Sequence, residues 1–221
     1  MKRIKFEEVT DGKIRVSEVN DKGLKEDGSA IKVSYSLLEE ALEQGVFKSR
    51  TYGKGDTIFY NCEDITLLRV KDNDVIVLDS KINGIEISEI LDKKSISINR
   101  NQNDRGICRV NLSKVTHYSK NKKEIVESKN YPVSINLVLW DIKLGKTNCK
   151  VKDIKRFDIV DREGHHERAD WDNRVTNTVV LTTEAHKEHH KVHGKNSHQT
   201  VCKISNVEEI KALIEYLRTY N

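Results

Sequence analysis

Three stretches of the chain place apolar residues at helical spacing. Leu37, Leu38, Ala41 and Leu42 run up to Gly45, and Ser36 with Glu39 forms a capping-box pattern at their start, which predicts a short helix over 37–44. Ile135, Val138, Leu139 and Ile142 recur at i, i+3, i+4 and i+7 between Pro132 and Gly145, predicting an amphipathic helix over 134–144. Ile210, Leu213, Ile214 and Leu217 make a third stripe, with Ser205 and Asn206 as caps, predicting a helix over 207–219 after a strand at Val201–Ile204. Much of the remaining pattern is β-like. From Thr57 to Leu91 the segments TIFY, ITLLRV, DVIVLD and GIEISEI, divided by Asn and Asp turns, predict a small sheet. SISINR and GICRVNL around the turn-rich NQNDR predict a hairpin. KRFDIV (155–160) and TVVLTT (178–183) read as two further strands, and Thr183, Glu184 and Gly194 mark the start and stop of a helix after the second. Strands and helices that do not alternate regularly define an α+β class.

Composition narrows the classes. No apolar run exceeds the length of Val75–Leu78 or Leu137–Trp140, so a membrane span of about 20 residues is not expected. The opening MKRIKFEEVTDGK lacks an apolar stretch of the kind a secretory signal needs. Cys62, Cys108, Cys149 and Cys202 lie far apart with no CxxC, which predicts four buried free thiols in a reducing, cytoplasmic setting. The net charge is +4, but it is unevenly placed: residues 1–94 hold 16 basic and 19 acidic side chains (−3), residues 95–221 hold 23 and 16 (+7). All eight histidines fall in the second part. The expected division is an N-terminal β-rich α+β domain (1–94), for specificity or dimer contacts, and a basic C-terminal part (95–221) that meets a phosphate-bearing partner. Arg100, Arg105 and Arg109 cluster on the predicted hairpin. They can either approach a DNA backbone or serve as a charged edge that discourages strand pairing.

The chemistry concentrates at 161–194, where six histidines occur within 29 positions. His186 and His190 stand four apart on one helical face, able to share a cation, and the preceding strand at Lys155–Val160 is expected to deliver His165 and His166 to the same place. His189 and His193 form a second pair at the same spacing, so either pair can supply the ligands. Lys187 and Lys191 can contact phosphates or form a solvated face. Trp171 reads as a packing residue.

The His165–His166 pair, Asn177, the strand Val179-Val180-Leu181, and His186 and His190 at nine and thirteen residues past the asparagine resemble the HNH endonuclease family. DNRVTN (172–177) looks like the Asn-rich loop of its phage homing members. The resemblance implies a C-terminal ββα-metal (HNH) nuclease module with its core motif at 155–194. It also implies a metal-dependent DNA endonuclease of homing or restriction type, in a bacterial or phage-infected cytoplasm. Carried over residue by residue, His166 is the general base, and His165, His186 and His190 hold one divalent cation. Asn177 pins the loop and orients the base. The product implied is a strand end with a 5′ phosphate. Mg²⁺ or Mn²⁺ is expected to support turnover, while three imidazoles also suit Zn²⁺ or Ni²⁺. The partner implied is double-stranded DNA, gripped by Arg100, Arg105, Arg109, Lys187 and Lys191, by one chain or a homodimer. The alternative is a non-catalytic DNA-binding protein with a structural zinc site.

Overall fold

The computed structural model describes residues 2–9, 13–20, 30–70, 73–91, 96–100, 106–119, 123–167, 169, 171–193 and 201–219. A hairpin of β1 (Lys2–Val9) and β2 (Lys13–Asn20) comes first. It is followed by β3 (Ala30–Val33), α1 (Tyr35–Glu43), β4 (Ser49–Tyr52), β5 (Ile58–Asn61), β6 (Ile65–Arg69) and β7 (Asp74–Asp79). The cap of α1 is Ser34 rather than the expected Ser36. Ser34 is already extended (φ −65, ψ 150) and its side chain accepts the Leu37 N–H at 3.2 Å, so the helix begins at Tyr35. The GIEISEI run, expected as a strand, is divided. β8 (Lys81–Ile82) and β9 (Ile85–Glu86) pair through an Asn83–Gly84 turn with both residues at positive φ, and Ile87–Ile90 form one helical turn, α2. Burial of Ile87 and Ile90, three apart, decides for the helical turn.

The expected hairpin is present and longer than its sequence signal. β10 (Ile96–Arg100), β11 (Gly106–Ser119) and β12 (Glu124–Ser134) form an antiparallel sheet that runs directly into α3 (Ile135–Lys143). The Asn83 side chain donates to the Ile142 carbonyl at 2.9 Å, satisfying one orphan acceptor at the end of α3. Lys155–Val160 is not the strand its pattern suggests. Ile154 and Phe157 are buried, a single bridge sets Arg156 beside Thr116, and a turn at Asp161 (φ 52) reverses the chain before β13 (Glu163–His166). β14 (Thr178–Leu181), α4 (Thr183–His193), β15 (Val201–Ile204) and α5 (Val207–Arg218) complete the elements.

β15 returns to pair in parallel with β3, giving a six-stranded sheet of order β15-β3-β7-β6-β5-β4. Alternation along its strands sends Ile58, Tyr60, Leu67, Val75 and Val77 to a core with α1 and α5. Phe59, Leu68, Ile76 and Leu78 go to a second core with β11, β12 and α3. A sheet buried on both faces needs two covers, and the first 94 residues supply only α1 and the single turn of α2. Both cores therefore cross the charge-based division at residue 94. The fold is mixed α+β, and no described helix is long and apolar enough to cross a membrane. Burial pushes the Cys108 thiol up to about 12 and Cys62 up to about 11, so both act as inert packing groups. Cys149 is exposed, contrary to expectation, and the Cys202 side chain lies outside the described residues.

Candidate metal centre

β13 and β14 pair antiparallel, Glu163 opposite Leu181 and His166 opposite Thr178, and α4 follows directly. Strand alternation sets Glu163 and His165 on one face of β13, Gly164 and His166 on the other. The first face meets α4. Thr182, rather than Thr183, caps that helix, accepting the Ala185 N–H at 3.0 Å, while Asp161 accepts the Thr183 N–H at 3.0 Å. From this start His186 and His190 turn toward His165, and one ring nitrogen of each of the three lies within 4.8 Å of the others.

The protonation pattern suits a cation. The Nδ1 of His186 is 2.6 Å from Glu163 Oε2, so Nδ1–H donates to the carboxylate and Nε2 carries the lone pair. That Nε2 is 3.0 Å from Nε2 of His190. Burial, reinforced by the neighbouring imidazoles, lowers the pKa of His165 to about 3, which keeps it a neutral ligand. Nitrogen ligands at about 2.0–2.1 Å from one ion stand roughly 3.0–3.4 Å apart; His186 and His190 already have that spacing, and His165, within 4.8 Å, would draw closer to complete a divalent-cation site. Three imidazoles would supply σ-donor nitrogen to such an ion and would leave positions for water or phosphate oxygen. His189 sits beside the three, its ring 4.4 Å from that of His165, but its nitrogens do not join the group. The side chain of His193 lies outside the described residues, as does His198, while His117 is buried and stacked on Tyr131 at 3.6 Å.

On the opposite face of β13, the Nε2 of His166 is 3.1 Å from Asn173 Oδ1. The Asn173 amide is oriented by its Nδ2, which donates to the Trp171 carbonyl at 3.3 Å, so Oδ1 faces the imidazole and Nε2–H is the donor. His166 thereby keeps Nδ1 as its basic nitrogen. Asn177 pins the loop as expected, donating to the carbonyls of Ala169 (3.1 Å) and Asp172 (2.6 Å). Orientation of His166, however, falls to Asn173, which sequence reasoning named only as part of the DNRVTN segment. The loop is bolted to the six-stranded sheet: Val77 N donates to Trp171 O (2.8 Å) and Asn173 N to Val77 O (2.9 Å), where β7 runs past the end of its pairing with β3. Arg174, 1% exposed, grips Asp172 with Nε at 2.9 Å and Nη2 at 3.0 Å, and its Nη1 donates to the Leu217 carbonyl at the end of α5. α3 closes the other side of the strand. A Cβ on Gly164 would meet the Asn136 side chain at 2.8 Å, so only glycine fits there.

Of the expected DNA-contact residues, three side chains are described, on β11 and α4. Arg105 and the side chain of Arg100 lie outside the described residues, and Arg109 is half-buried on β11. Lys187 is exposed on α4, and Lys191 reaches Glu188 at 3.7 Å. Trp171 is buried, as a packing residue should be. No protein-family model, no curated protein and no solved structure matches the chain.

Proposed function

We propose that the protein is a metal-dependent DNA endonuclease of the HNH, ββα-metal type, and that β13, β14 and α4 are its catalytic module. The observation that carries this reading is the convergence of His165, His186 and His190 while the adjacent His166 stands outside that group with its own oriented hydrogen bond. Among the described residues three ligands rather than four come together, which favours an open, catalytic centre over a closed structural one. When bound, a divalent cation supplies charge stabilisation for the phosphodiester under attack and for the departing 3′ oxygen.

The chain's own residues do the rest. His165, His186 and His190 bind, and Glu163 orients His186 through Nδ1. Asn173 holds the Nε2–H of His166, so that Nδ1 removes a proton from the attacking water as its oxygen bonds to phosphorus. The 3′ oxygen leaves and the 5′ phosphate stays on the downstream strand. Asn177 keeps the loop that presents Asn173 closed. Double-stranded DNA is the proposed substrate, and Mg²⁺ or Mn²⁺ the ion for turnover.

Relaxation of supercoiled plasmid tests the proposal. Wild type with Mg²⁺ or Mn²⁺ should nick or cut it, and His166→Ala should lower the rate at least 100-fold while metal affinity and duplex binding stay within about twofold. Cleavage by His166→Ala at the wild-type rate removes the mechanism. Metal-induced stabilisation of wild type without any strand scission favours the structural-zinc alternative.

A further inference from the structure

The positive charge of the second half is concentrated. Between Lys143 and Arg156 lie six basic side chains and one acid, Asp153, a net +5 within 14 residues of a half whose total is +7. Helix α4 balances Lys187 and Lys191 against Glu184 and Glu188 and so contributes none of that surplus. Lys143, Lys146, Lys152, Lys155 and Arg156 are all exposed, while Val151, Ile154 and Phe157 root the same segment in the core. Its backbone is fixed as well: Thr116 N donates to Lys155 O at 2.8 Å, and Phe157 N donates to Thr116 O at 3.1 Å. Lys155 and Arg156 are thus displayed on a segment bonded to β11, and Lys143, Lys146 and Lys152 precede them on the stretch that leads there from the end of α3.

A second observation lies on that same ribbon. Between the pairs Ser113↔Asn130 and Val115↔Ser128, Lys114 and Lys129 stand opposite one another, both exposed, with Lys114 at φ 51. Like charges set directly across two strands repel, and a non-glycine residue at positive φ is strained. Neither lysine has an acidic partner among the described residues. An anion lying across them would offset the repulsion. The acids near these positions are Glu127, opposite Thr116 in the register, Asp153 within the segment and Asp158 two residues past it.

We propose that residues 143–156, with Lys114 and Lys129, form a phosphate-binding strip that holds the backbone of double-stranded DNA and feeds it to the histidine centre, seven residues further along the chain at β13. The inference rests on the nuclease reading for its choice of partner. The strip takes over the gripping role expected of the hairpin arginines and of Lys187 and Lys191. Contacts of this kind fix position without reading sequence.

The test is fluorescence anisotropy of a labelled DNA duplex with the full chain in EDTA, over a salt series. Each lost phosphate contact lowers the slope of log K against log salt by about 0.9, so Lys152→Gln/Lys155→Gln/Arg156→Gln should reduce it by about 2–3 and weaken binding at least tenfold near 0.1 M salt. Lys187→Gln/Lys191→Gln should change affinity less than about threefold. An unchanged Ni²⁺ titration of the triple variant shows that its fold and centre are intact. A triple variant that binds duplex as wild type does, or one that loses duplex RNA but not DNA, overturns the strip. Wild-type cleavage alongside an unaffected triple variant sinks the strip alone. Strip-dependent binding without any cleavage sinks the nuclease reading alone.

Discussion

The loop that presents Asn173 and the helix that presents His186 and His190 meet at one strand, yet they are held by opposite means. Trp171, Asp172, Asn173, Arg174 and Asn177 are each 2% exposed or less, and backbone bonds of Trp171 and Asn173 to β7 and the bond of the Arg174 guanidinium to α5 tie the loop down. On α4, none of the side chains described is buried, and it meets β13 through the Glu163–His186 bond and edge-to-face imidazole contacts. The difference separates two tasks. Orientation of His166 is built into the core of the sheet, whereas two of the three proposed cation ligands sit on a helix with no buried side chain among those described. Substitutions should therefore divide into those that unfold the protein and those that only uncouple the metal.

The largest effect is expected at Arg174. Arg174→Ala leaves Asp172 buried without its guanidinium and the Leu217 carbonyl without its donor, which should lower stability by about 3–5 kcal/mol in urea unfolding. A loss under about 1 kcal/mol would mean that the loop is not anchored through this pair. His190→Ala comes next and should act differently. At a metal concentration 100 times its dissociation constant, wild type gains about 2.7 kcal/mol from binding, and the variant should lose most of that gain. Its metal-free stability should fall by no more than about 1 kcal/mol, because His190 is only half-buried. Melting curves with and without Zn²⁺ or Ni²⁺ measure both. Equal losses in the two conditions would erase the distinction between helix and loop.

The same division explains what the sequence disclosed. Apolar stripes marked α1, α3 and α5 within two residues at each end, since each buries one face against a sheet. The four-residue spacing of His186 and His190 was legible because helix geometry converts it directly into a shared face, while the preference for this pair over His189 and His193, and the role of Asn177, came from the resemblance to the HNH family. Long-range pairings were not. Nothing local tells β15 to lie parallel to β3, or Asn173 to fold back on Val77, because those bonds depend on where β7 outruns its neighbour. Lys155–Val160 misled for a related reason: the alternation of Phe157 and Ile159 imitates a strand, but the chain spends it on one bridge to Thr116 before turning at Asp161. The roles of Asp172 and Arg174 stayed hidden because a two-residue spacing becomes an ion pair only after the loop has closed.

The smallest effect should have the opposite sign. Asp79 Oδ2 accepts the Val175 N–H at 2.8 Å, tying the loop to the end of β7. Burial raises its pKa above the usual 3.8, and outweighs the lowering by that hydrogen bond and by the Arg174 guanidinium. The folded chain therefore keeps the proton at pH values where the unfolded chain has released it. Stability falls as pH rises from about 3.8 through the folded value, and at neutral pH the charged carboxylate is carried at a cost. Asp79→Asn retains an acceptor for Val175 and removes the charge, so at pH 7 the melting temperature should rise by about 2–4 °C, with the difference vanishing toward the acid end of the curve. A lower melting temperature at pH 7 would show that Arg174 is shared between Asp79 and Asp172. The loop would then be secured by a three-membered charge network, and the Arg174→Ala loss would have to be divided between both carboxylates.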